Sequence, residues 1–430
     1  MLAETMRNKT SAPNSISRRD WLTTLGGSLA LSASPFATLT TAEPQAEKNG
    51  SDPVYDLLIK DGKVIDPSQG IEATQDVAIR EGKIARLAPE ITEGAREVFH
   101  ANGKFVTPGL IDLHTHVFPY VGPYGIEPDP ACLAHGVTTV LDAGTSGAFT
   151  FPAFRRFVIT RAKTRIRALL HVVSIGMVAG STPNMGELED LRYCDPNLAA
   201  NVARENRDLV RGFKIRFSKQ YTGPNDLEGM RRARKAADEA GLPVMIHIGG
   251  SYSPLEELLA LMKKGDIVTH SFNSHPHGFL DRQGKIRPAV VEARRRGVLI
   301  DIGHGAGSFS FAVAEKCLKQ DFPPDTISTD LYSANINGPV YDLPTTLSKF
   351  LLLGMSLPEV IRRATVNAAR AIDFGADIGT LRPGAEADVS ILELREGSFV
   401  FTDSDGKTRQ GRAKLVAAAT VKGGRLFYPE

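Results

Sequence analysis

The sequence predicts an α/β protein built as a (β/α)8 TIM barrel, with a small β-sandwich domain formed by the N- and C-terminal segments. Between residues 110 and 330, apolar runs typical of buried strands alternate with charged stretches of helical periodicity. Eight such βα units in succession are the pattern of a parallel barrel. Shorter alternating segments at both ends of the chain, separated by DG, EG and NG dipeptides, indicate hairpins of a second sheet.

These patterns divide the chain into four segments. Residues 1–51 hold an export signal and a linker, 52–108 the first part of the β-sandwich, 109–372 the barrel, and 373–430 the second part. The eight predicted barrel strands are LIDLHTH, VTTVLDAG, RALLHVVS, VRGFKIRFS, PVMIHIG, DIVTH, VLIDIGHG and TISTD. Stretches such as LEGMRRARKAADEAG and SPLEELLALMKKG provide helices between them.

Composition favours a soluble enzyme that acts on a small molecule. The chain has 430 residues, 42% of them apolar and 23% charged, which is enough to bury a large core. Its net charge of +2 gives no broad basic field for nucleic acid. The cysteines Cys132, Cys194 and Cys317 lie far apart without CxxC spacing, so neither a disulfide framework nor a thiolate metal site is expected. Whether the chain forms a homo-oligomer is left open.

The N-terminus predicts export. Arg18 and Arg19 precede a moderately apolar run that ends in small residues, which resembles a twin-arginine signal with cleavage near Ala42. The run is too short and polar for a transmembrane helix, so no stable membrane insertion is expected once the signal is removed. The mature protein is therefore expected to be a periplasmic enzyme. The alternative interpretation of the N-terminus is a disordered tail with a chance Arg-Arg pair.

Polar residues at the strand ends indicate the chemistry. On a strand the side-chain period is two, so His114 and His116 leave the same face together with Asp112. Active sites of TIM barrels lie at the C-terminal ends of the strands. The residues expected to converge there are His114, His116, Lys214, His247, His270 and Asp330. Four imidazoles and a carboxylate at one place favour a site for divalent metals such as zinc. The alternative interpretation of His114 and His116, as hydrogen-bonded core histidines, is less favoured.

Lys214 is the unusual member of this set, because an ammonium group repels metal cations. Burial lowers the pKa of a lysine, and the neutral amine can react with carbon dioxide to give an anionic carbamate ligand. The alternative from the residues alone is a salt bridge between Lys214 and a barrel carboxylate.

The motifs VTPGLIDLHTH, GFKIRFS, VMIHIG, DIVTHSFN, DIGHG, NGPVYDL and GTLRPGAEADVSIL resemble the amidohydrolase superfamily, in particular its dihydroorotase-like deacetylase and esterase branch. The resemblance covers residues 52–428. It implies two divalent metals, usually zinc, bridged by a carboxylated lysine and a hydroxide. Carried over to this chain, it places His114, His116 and Asp330 on one metal, His247 and His270 on the other, and carboxylated Lys214 between them.

The resemblance also implies a reaction. A metal-bridging hydroxide attacks a carbonyl, and Asp330 accepts the proton and returns it to the leaving group. The expected substrate is an acyl amide or ester, with acetyl the first candidate, of a small carboxylate-bearing molecule. A cyclic amidase of hydantoinase or dihydroorotase type is an alternative, although Phe118 replaces the arginine that holds dihydroorotate in that family. A catalytically inactive barrel scaffold and a metal-storage or sensing protein are alternatives from other classes.

Residues at the strand ends and on the loops above them are the candidates for substrate contacts. The predicted set is Ser146, Arg216, His304 and Asn335. Arg216 meets either a substrate carboxylate or a barrel acid, and His304 faces either the substrate or a hydrogen-bond partner beneath the site. His275 and His277 follow strand six and are expected to be exposed loop histidines.

Overall fold

The computed structural model describes residues 54–180, 186–375 and 377–429. The predicted export signal, with Arg18, Arg19 and Ala42, lies outside these residues and stays a prediction. Within the described ranges, no helix is both long enough and apolar enough to cross a membrane.

The strands of the described chain fall into two sheets. They are β1 (Tyr55–Asp66), β2 (Ile71–Arg80), β3 (Lys83–Ala88), β4 (Ala95–His100), β5 (Phe105–Pro108), β6 (Leu110–Thr115), β7 (Val137–Gly147), β8 (Arg165–His171), β9 (Val210–Phe217), β10 (Val244–Ile248), β11 (Ile267–Thr269), β12 (Leu299–Ile300), β13 (Val389–Thr402), β14 (Thr408–Lys422) and β15 (Arg425–Phe427).

Helices lie mainly between the strands of the parallel sheet. They are α1 (Pro128–Ala131), α2 (Phe151–Phe154), α3 (Pro196–Glu205), α4 (Lys219–Thr222), α5 (Asp226–Ala240), α6 (Leu255–Ala260), α7 (Pro288–Arg295), α8 (Phe311–Lys319), α9 (Leu343–Leu352), α10 (Leu357–Arg363) and α11 (Val366–Ala371). Single turns of tighter or wider helix occupy Leu133–His135, Arg155–Ile159, Leu191–Tyr193 and Gly223–Asn225.

Helix α5 shows how the sequence sets these elements. Asp226 and Glu228 place negative charge in its first turn, where the helix dipole is positive. Ala233 and Ala237 lie on one face and are fully buried, which lets the helix pack closely against its neighbours. The helix ends at Gly241, whose left-handed φ of 65° only glycine adopts without strain.

Seven of the predicted barrel strands form one parallel sheet, in the order β12-β11-β10-β9-β8-β7-β6. The eighth predicted run, residues 326–330, is not a strand. Thr326 in this run and Leu331 directly after it make single parallel bridges to Asp301 and Thr115, at opposite edges of the sheet. The ladder of this run is interrupted because the Thr329 N–H donates to the side chain of Asp112 on β6 and not to a backbone carbonyl. The α/β class is confirmed, and complete eight-stranded closure stays a prediction.

Strands from both ends of the chain pair in a second, mixed sheet of eight strands, ordered β15-β14-β13-β5-β1-β2-β3 with β4 beside β1. The junction is the antiparallel pairing of β5 with β13, in which Val389 lies opposite Pro108. The terminal segments therefore share one sheet. A separate β-sandwich domain stays a prediction.

The three dipeptide turn signals have different outcomes. The Glu81-Gly82 turn joins β2 to β3 as a hairpin, as expected. The hairpin expected at Asp61-Gly62 is wrong, because β1 continues through it as a bulge in which the φ of Asp61 is 61°. The NG turn after His100 links β4 to β5, and both of these strands run parallel to β1.

A buried ion cluster joins the two sheets. Asp388, which immediately precedes β13, is 3% exposed in its side chain and lies 2.9 Å from Lys422 Nζ. It also accepts hydrogen bonds from Arg165 at the start of β8 and from the backbone N–H of Gly423. One carboxylate thus holds strands of both sheets together.

We expect Asp388→Ala to lower the free energy of unfolding by about 2–4 kcal/mol, because it removes a buried carboxylate from Lys422 and Arg165, whose side chains are only 12% and 18% exposed. Chemical denaturation followed by circular dichroism measures the loss. Glu72→Gln is the control: Glu72 pairs with Lys63 at 2.8 Å, both side chains are about half exposed, and the change is expected to stay below about 1 kcal/mol. Equal stability of Asp388→Ala and the wild type would contradict this account.

Candidate metal centre

A cavity of about 560 Å³ opens at the C-terminal ends of the parallel strands. Of the ten residues predicted for the site, seven line this cavity: His114, His116, Lys214, Arg216, His247, His270 and Asp330. Side chains that were not predicted complete the wall, among them Tyr124, Lys219, Tyr221, His275 and Tyr332.

Three of the predicted metal ligands converge closely. Asp330 Oδ1 lies 3.3 Å from His114 Nε2 and 3.0 Å from His116 Nε2. One ligand atom from each of the three residues falls within 4.8 Å of the others, and all three residues are buried. This spacing suits a single cation bound by two imidazoles and a carboxylate.

The other two histidines lie beside this group. The ring centroids of His247 and His270 are 4.3 Å apart, and His270 is 5.0 Å from His114. His270 Nδ1 contacts the carbonyl oxygen of Gly303 at 2.6 Å, and His247 Nε2 lies 3.1 Å from the hydroxyl of Ser218. All four imidazoles therefore face one end of the sheet.

Burial keeps three of these imidazoles neutral. It lowers the pKa values of His114 and His247 well below the ordinary value, and it lowers the pKa of His270 to about 4. Neutral imidazole is the form that binds a metal.

Lys214 is fully buried among these rings. Its Nζ lies 3.1 Å from His114 Nε2 and 3.5 Å from Met245 Sδ. Within the described ranges no carboxylate oxygen lies within 4.0 Å of Nζ to form the alternative salt bridge. Burial, only partly opposed by Asp330, lowers the pKa of Lys214 to about 7. Gly144 makes room for this side chain, since a Cβ there would lie 2.6 Å from Lys214 Cβ.

The DIGHG motif shapes the cavity by its glycines. A Cβ on Gly303 would lie 2.2 Å from Thr269 Oγ1 and 2.9 Å from Nδ1 of both His114 and His270. A Cβ on Gly305 would lie 2.5 Å from Asp330 Oδ2. Both glycines also have positive φ, so any other residue is strained there.

Two of the predicted ligands have unusual backbone conformations. His270 and Asp330 have φ values of 66° and 51°, in the left-handed region that side chains other than glycine rarely adopt. Such conformations persist where the surrounding structure enforces them, and they concentrate at functional sites.

Arg216 lies in the cavity wall and pairs with a buried acid, one of its two predicted alternatives. Its guanidinium bonds Glu187, the Tyr124 hydroxyl and the Gly180 carbonyl, and it stacks 3.7 Å from the ring centroid of Tyr221. Burial of Glu187 is outweighed by the charge of Arg216, so the pKa of this carboxyl is lowered to about 2. The pair is therefore ionised at neutral pH.

The structure does not bring the other three predicted contact residues to the cavity wall. Ser146 and His304 are fully buried, and His304 bonds the Gly305 carbonyl and the amine of Lys349. The Asn335 side chain is also buried, donates to the Asp330 carbonyl and accepts from the Tyr332 N–H. His304 and Asn335 are held by hydrogen bonds in the protein interior, and Ser146 is packed within it. None of the three is among the residues that line the cavity.

The two histidines of the loop after β11 differ in position. His275 lines the cavity, with Nε2 2.8 Å from the Gly307 carbonyl. His277 lies 3.4 Å from the hydroxyl of Ser251 and is not among the lining residues.

Sequence reasoning missed the residues behind the imidazoles. Thr145 and Thr269 contact the rings of His116 and His114, both at 2.9 Å. A signal was present, because Asp142 and Asp301 are acidic residues inside apolar strand runs and must be buried with partners.

The fold and this cavity define an α/β protein with the donor set of a divalent metal site. Residues 105–423 match the model of the Amidohydrolase family. The chain is 37% identical over 377 residues to a deacetylase of Enterococcus faecalis (strain ATCC 700802 / V583), covering 87% of this chain and 99% of the relative.

Solved structures agree on the fold under different names. A crystal structure of an adenine deaminase matches with a TM-score of 0.81 and 37% identity, covering 87% of this chain and all of that one. A crystal structure of a dihydroorotase matches with a TM-score of 0.79 and 30% identity, covering 86% and 98%. The chain belongs to the amidohydrolase family, whose members typically use a divalent metal.

We expect Gly303→Ala to destabilise the protein by about 1–3 kcal/mol and to weaken its binding of an added divalent metal such as zinc, since the new methyl group displaces Thr269 and two imidazoles. Thermal unfolding and metal analysis of the zinc-loaded protein measure both effects. Gly307→Ala on the same loop is the control, because a Cβ there has no atom within 4 Å. Wild-type zinc content in Gly303→Ala would show that this close packing does not matter.

Proposed function

We propose that this protein is a binuclear metal-dependent hydrolase that cleaves an acyl amide or ester, acetyl first, of a small carboxylate-bearing molecule. The observation that carries the proposal is the setting of Lys214. A fully buried amine lies among four imidazoles and beside Asp330 without a carboxylate partner in the described chain. The name of the Enterococcus relative agrees with a deacetylase.

The donor set fits two divalent metals. His114, His116 and Asp330 supply two nitrogens and an oxygen close enough for one cation. His247 and His270 would hold the second, because their rings are adjacent and neutral. Imidazole and carboxylate donors suit zinc, although they do not exclude other borderline metals.

Lys214 would join the two sites as a carbamate. The neutral amine attacks carbon dioxide, a C–N bond forms, and one proton leaves to solvent, which gives an anionic two-oxygen ligand. A pKa of about 7 leaves a substantial share of Lys214 neutral at physiological pH. The carbamate also removes the repulsion between an ammonium group and the metals.

When bound, the metals supply Lewis acidity toward the substrate carbonyl and acidify a water. The chain's own contribution is the proton transfer at Asp330. Its Oδ1 lies between the His114 and His116 nitrogens and its Oδ2 lies against Gly305, so the carboxylate is fixed in orientation. It can take a proton from the attacking water and return it to the leaving amine or alkoxide.

The cavity supports a small anionic substrate. A volume of about 560 Å³ is typical of small-molecule sites. The exposed Lys219 gives its wall positive charge, because the charge of Arg216 is balanced by Glu187. Tyr124, Tyr221 and Tyr332 give it aromatic surface. A substrate carboxylate bound at Lys219 would orient the acyl group toward Asp330.

The residues in and around the cavity give less support to the alternative reactions. Phe118, where the dihydroorotate-binding arginine would stand, is buried and stacks on Phe154 at 4.8 Å, so it offers no contact for that substrate. The complete set of histidines, lysine and aspartate argues against an inactive scaffold.

The twin-arginine pattern at Arg18 and Arg19 leads us to propose export to the periplasm as well.

The first experiment pairs metal analysis with a substrate panel. N-acetyl amino acids, O-acetyl α-hydroxy acids, hydantoins, dihydroorotate and adenine are offered to the zinc-loaded protein, with both enantiomers where they exist. We expect about two metals per chain and turnover of an acetylated carboxylate. Turnover only of cyclic amides or adenine would redirect the assignment. If the protein shows neither bound metal nor turnover after zinc and bicarbonate are supplied, the hypothesis of a catalytically inactive scaffold is favoured.

We expect Asp330→Asn to lower kcat by about 10²- to 10⁴-fold, because the amide cannot move the proton. Lys214→Ala is expected to lose both metal and activity. In protein supplied with ¹³C-bicarbonate, it should also lose the carbamate carbon signal seen by NMR. Lys60→Ala, in the terminal sheet, is the lysine control and should keep all three properties. A carbamate signal that survives Lys214→Ala would contradict the assignment.

A further inference from the structure

A buried chain of hydrogen bonds stands behind His116. Its Nδ1 lies 2.9 Å from Thr145 Oγ1, and that hydroxyl donates to Asp142 Oδ2 at 2.7 Å. Asp142 also accepts the backbone N–H groups of Val117 at 2.9 Å and Thr145 at 2.8 Å. Backbone N–H groups can only donate, so both carboxylate oxygens of Asp142 act as acceptors.

A second chain of the same kind stands behind His114. Its Nδ1 lies 2.9 Å from Thr269 Oγ1, which donates to Asp301 Oδ2 at 2.7 Å. Two more hydroxyls, from Thr326 and Ser328, donate to Asp301. The two histidines of the HxH motif thus have matching supports built from different strands, and neither threonine was part of the proposed metal site.

We propose that Thr145 and Thr269 are positioning residues that hold His116 and His114 in the Nδ1–H tautomer and so direct their Nε2 lone pairs toward the metals. A hydroxyl has one proton to donate, and each threonine donates it in a hydrogen bond to an aspartate. The threonine oxygen can then only accept from the imidazole, which must carry its proton on Nδ1. This inference rests on the proposed metal site.

The direction of each chain depends on the aspartates. Burial raises the pKa values of Asp142 and Asp301, and the hydrogen bonds that they accept oppose this. The hydroxyl of Ser328 accepts the Gly303 N–H at 3.0 Å, so its own proton is free to go to Asp301. A protonated aspartate would reverse the chain and put the imidazole proton on Nε2, which makes the tautomer a direct test.

The tautomer explains why Asp330 and the two rings need a cation. With both Nε2 atoms as lone pairs, Asp330 Oδ1 at 3.3 Å and 3.0 Å faces two electron-rich atoms. A positive charge among the three atoms removes their repulsion. Residues that hydrogen-bond a metal-binding imidazole in this way typically change metal affinity by about 10- to 100-fold.

The decisive measurement is made on the full-length protein labelled with ¹⁵N in the histidine rings, after zinc is removed with a chelator. Two-bond proton–nitrogen NMR spectra distinguish the Nδ1–H and Nε2–H tautomers. We expect the rings of His114 and His116 to be Nδ1–H, and the His116→Gln and His114→Gln variants assign their signals. Nε2–H tautomers for both rings would overturn the proposal whatever the enzyme's substrate.

Metal affinity gives the second readout. Zinc competition with a chelator should show about 10- to 100-fold weaker binding in Thr145→Val and Thr269→Val, and recovery in Thr145→Ser and Thr269→Ser, which keep the hydroxyl. Thr420→Val is the control, because this buried threonine of β14 donates to the Leu133 carbonyl and does not line the cavity. Unchanged zinc affinity and unchanged tautomers in both valine variants would refute the positioning role.

The outcomes separate this inference from the proposed function. A wild-type protein that binds no zinc and turns over no substrate defeats the hydrolase assignment, while the tautomers still decide the role of the threonines. A zinc-loaded, active protein with Nε2–H rings defeats the positioning role alone. If the valine variants fail to fold, the wild-type spectra and the serine variants decide it.

Discussion

The buried carboxylate of Asp301 is the contact on which the site depends most. It lies at the end of β12 and accepts hydroxyls from Thr269 on β11 and from Thr326 and Ser328 in the following segment. An uncompensated charge in this position would cost several kcal/mol, so these donors must stay in place. By fixing them, Asp301 sets the position of the chain that leads to Asp330.

Asp112 completes this arrangement on the other edge of the sheet. It accepts the hydroxyl and the backbone N–H of Thr329, and its pKa is raised to about 7 by burial. The segment before Asp330 is therefore held by two carboxylates and not by a regular ladder. Side-chain bonding of this kind permits the left-handed backbone at Asp330 that a strand would forbid.

The C-terminal hairpin supports the same region from outside. In its turn, the Asp403 carboxylate accepts a hydrogen bond from the Phe311 N–H, and the Ser404 hydroxyl donates one to the Gly305 carbonyl. Lys349 joins it to the loop by bonding both the Thr402 carbonyl and His304. A long hairpin at the far end of the sequence thus fixes the loop whose glycines make room for the site.

Proteins named as a deacetylase, an adenine deaminase and a dihydroorotase share this chain's sequence or fold at 30% identity or more. One fold thus occurs under three different names, and in this chain the residues that line the cavity are the basis for proposing a substrate. The cavity wall combines the ionised Arg216–Glu187 pair with tyrosines. That pair carries no net charge, so the exposed Lys219 on the same wall is what directs the proposed function toward a substrate carboxylate.

The sequence by itself determined the α/β class, the order of seven strands and the grouping of six candidate ligands, because period-two patterns and strand ends are local features. The tertiary structure decided what depends on distant partners. Asp61-Gly62 forms a bulge because β1 pairs with β2 both before and after this dipeptide. Likewise, His304 and Asn335 are withdrawn from the cavity by bonds to Lys349 and Asp330, which no single stretch of sequence reveals.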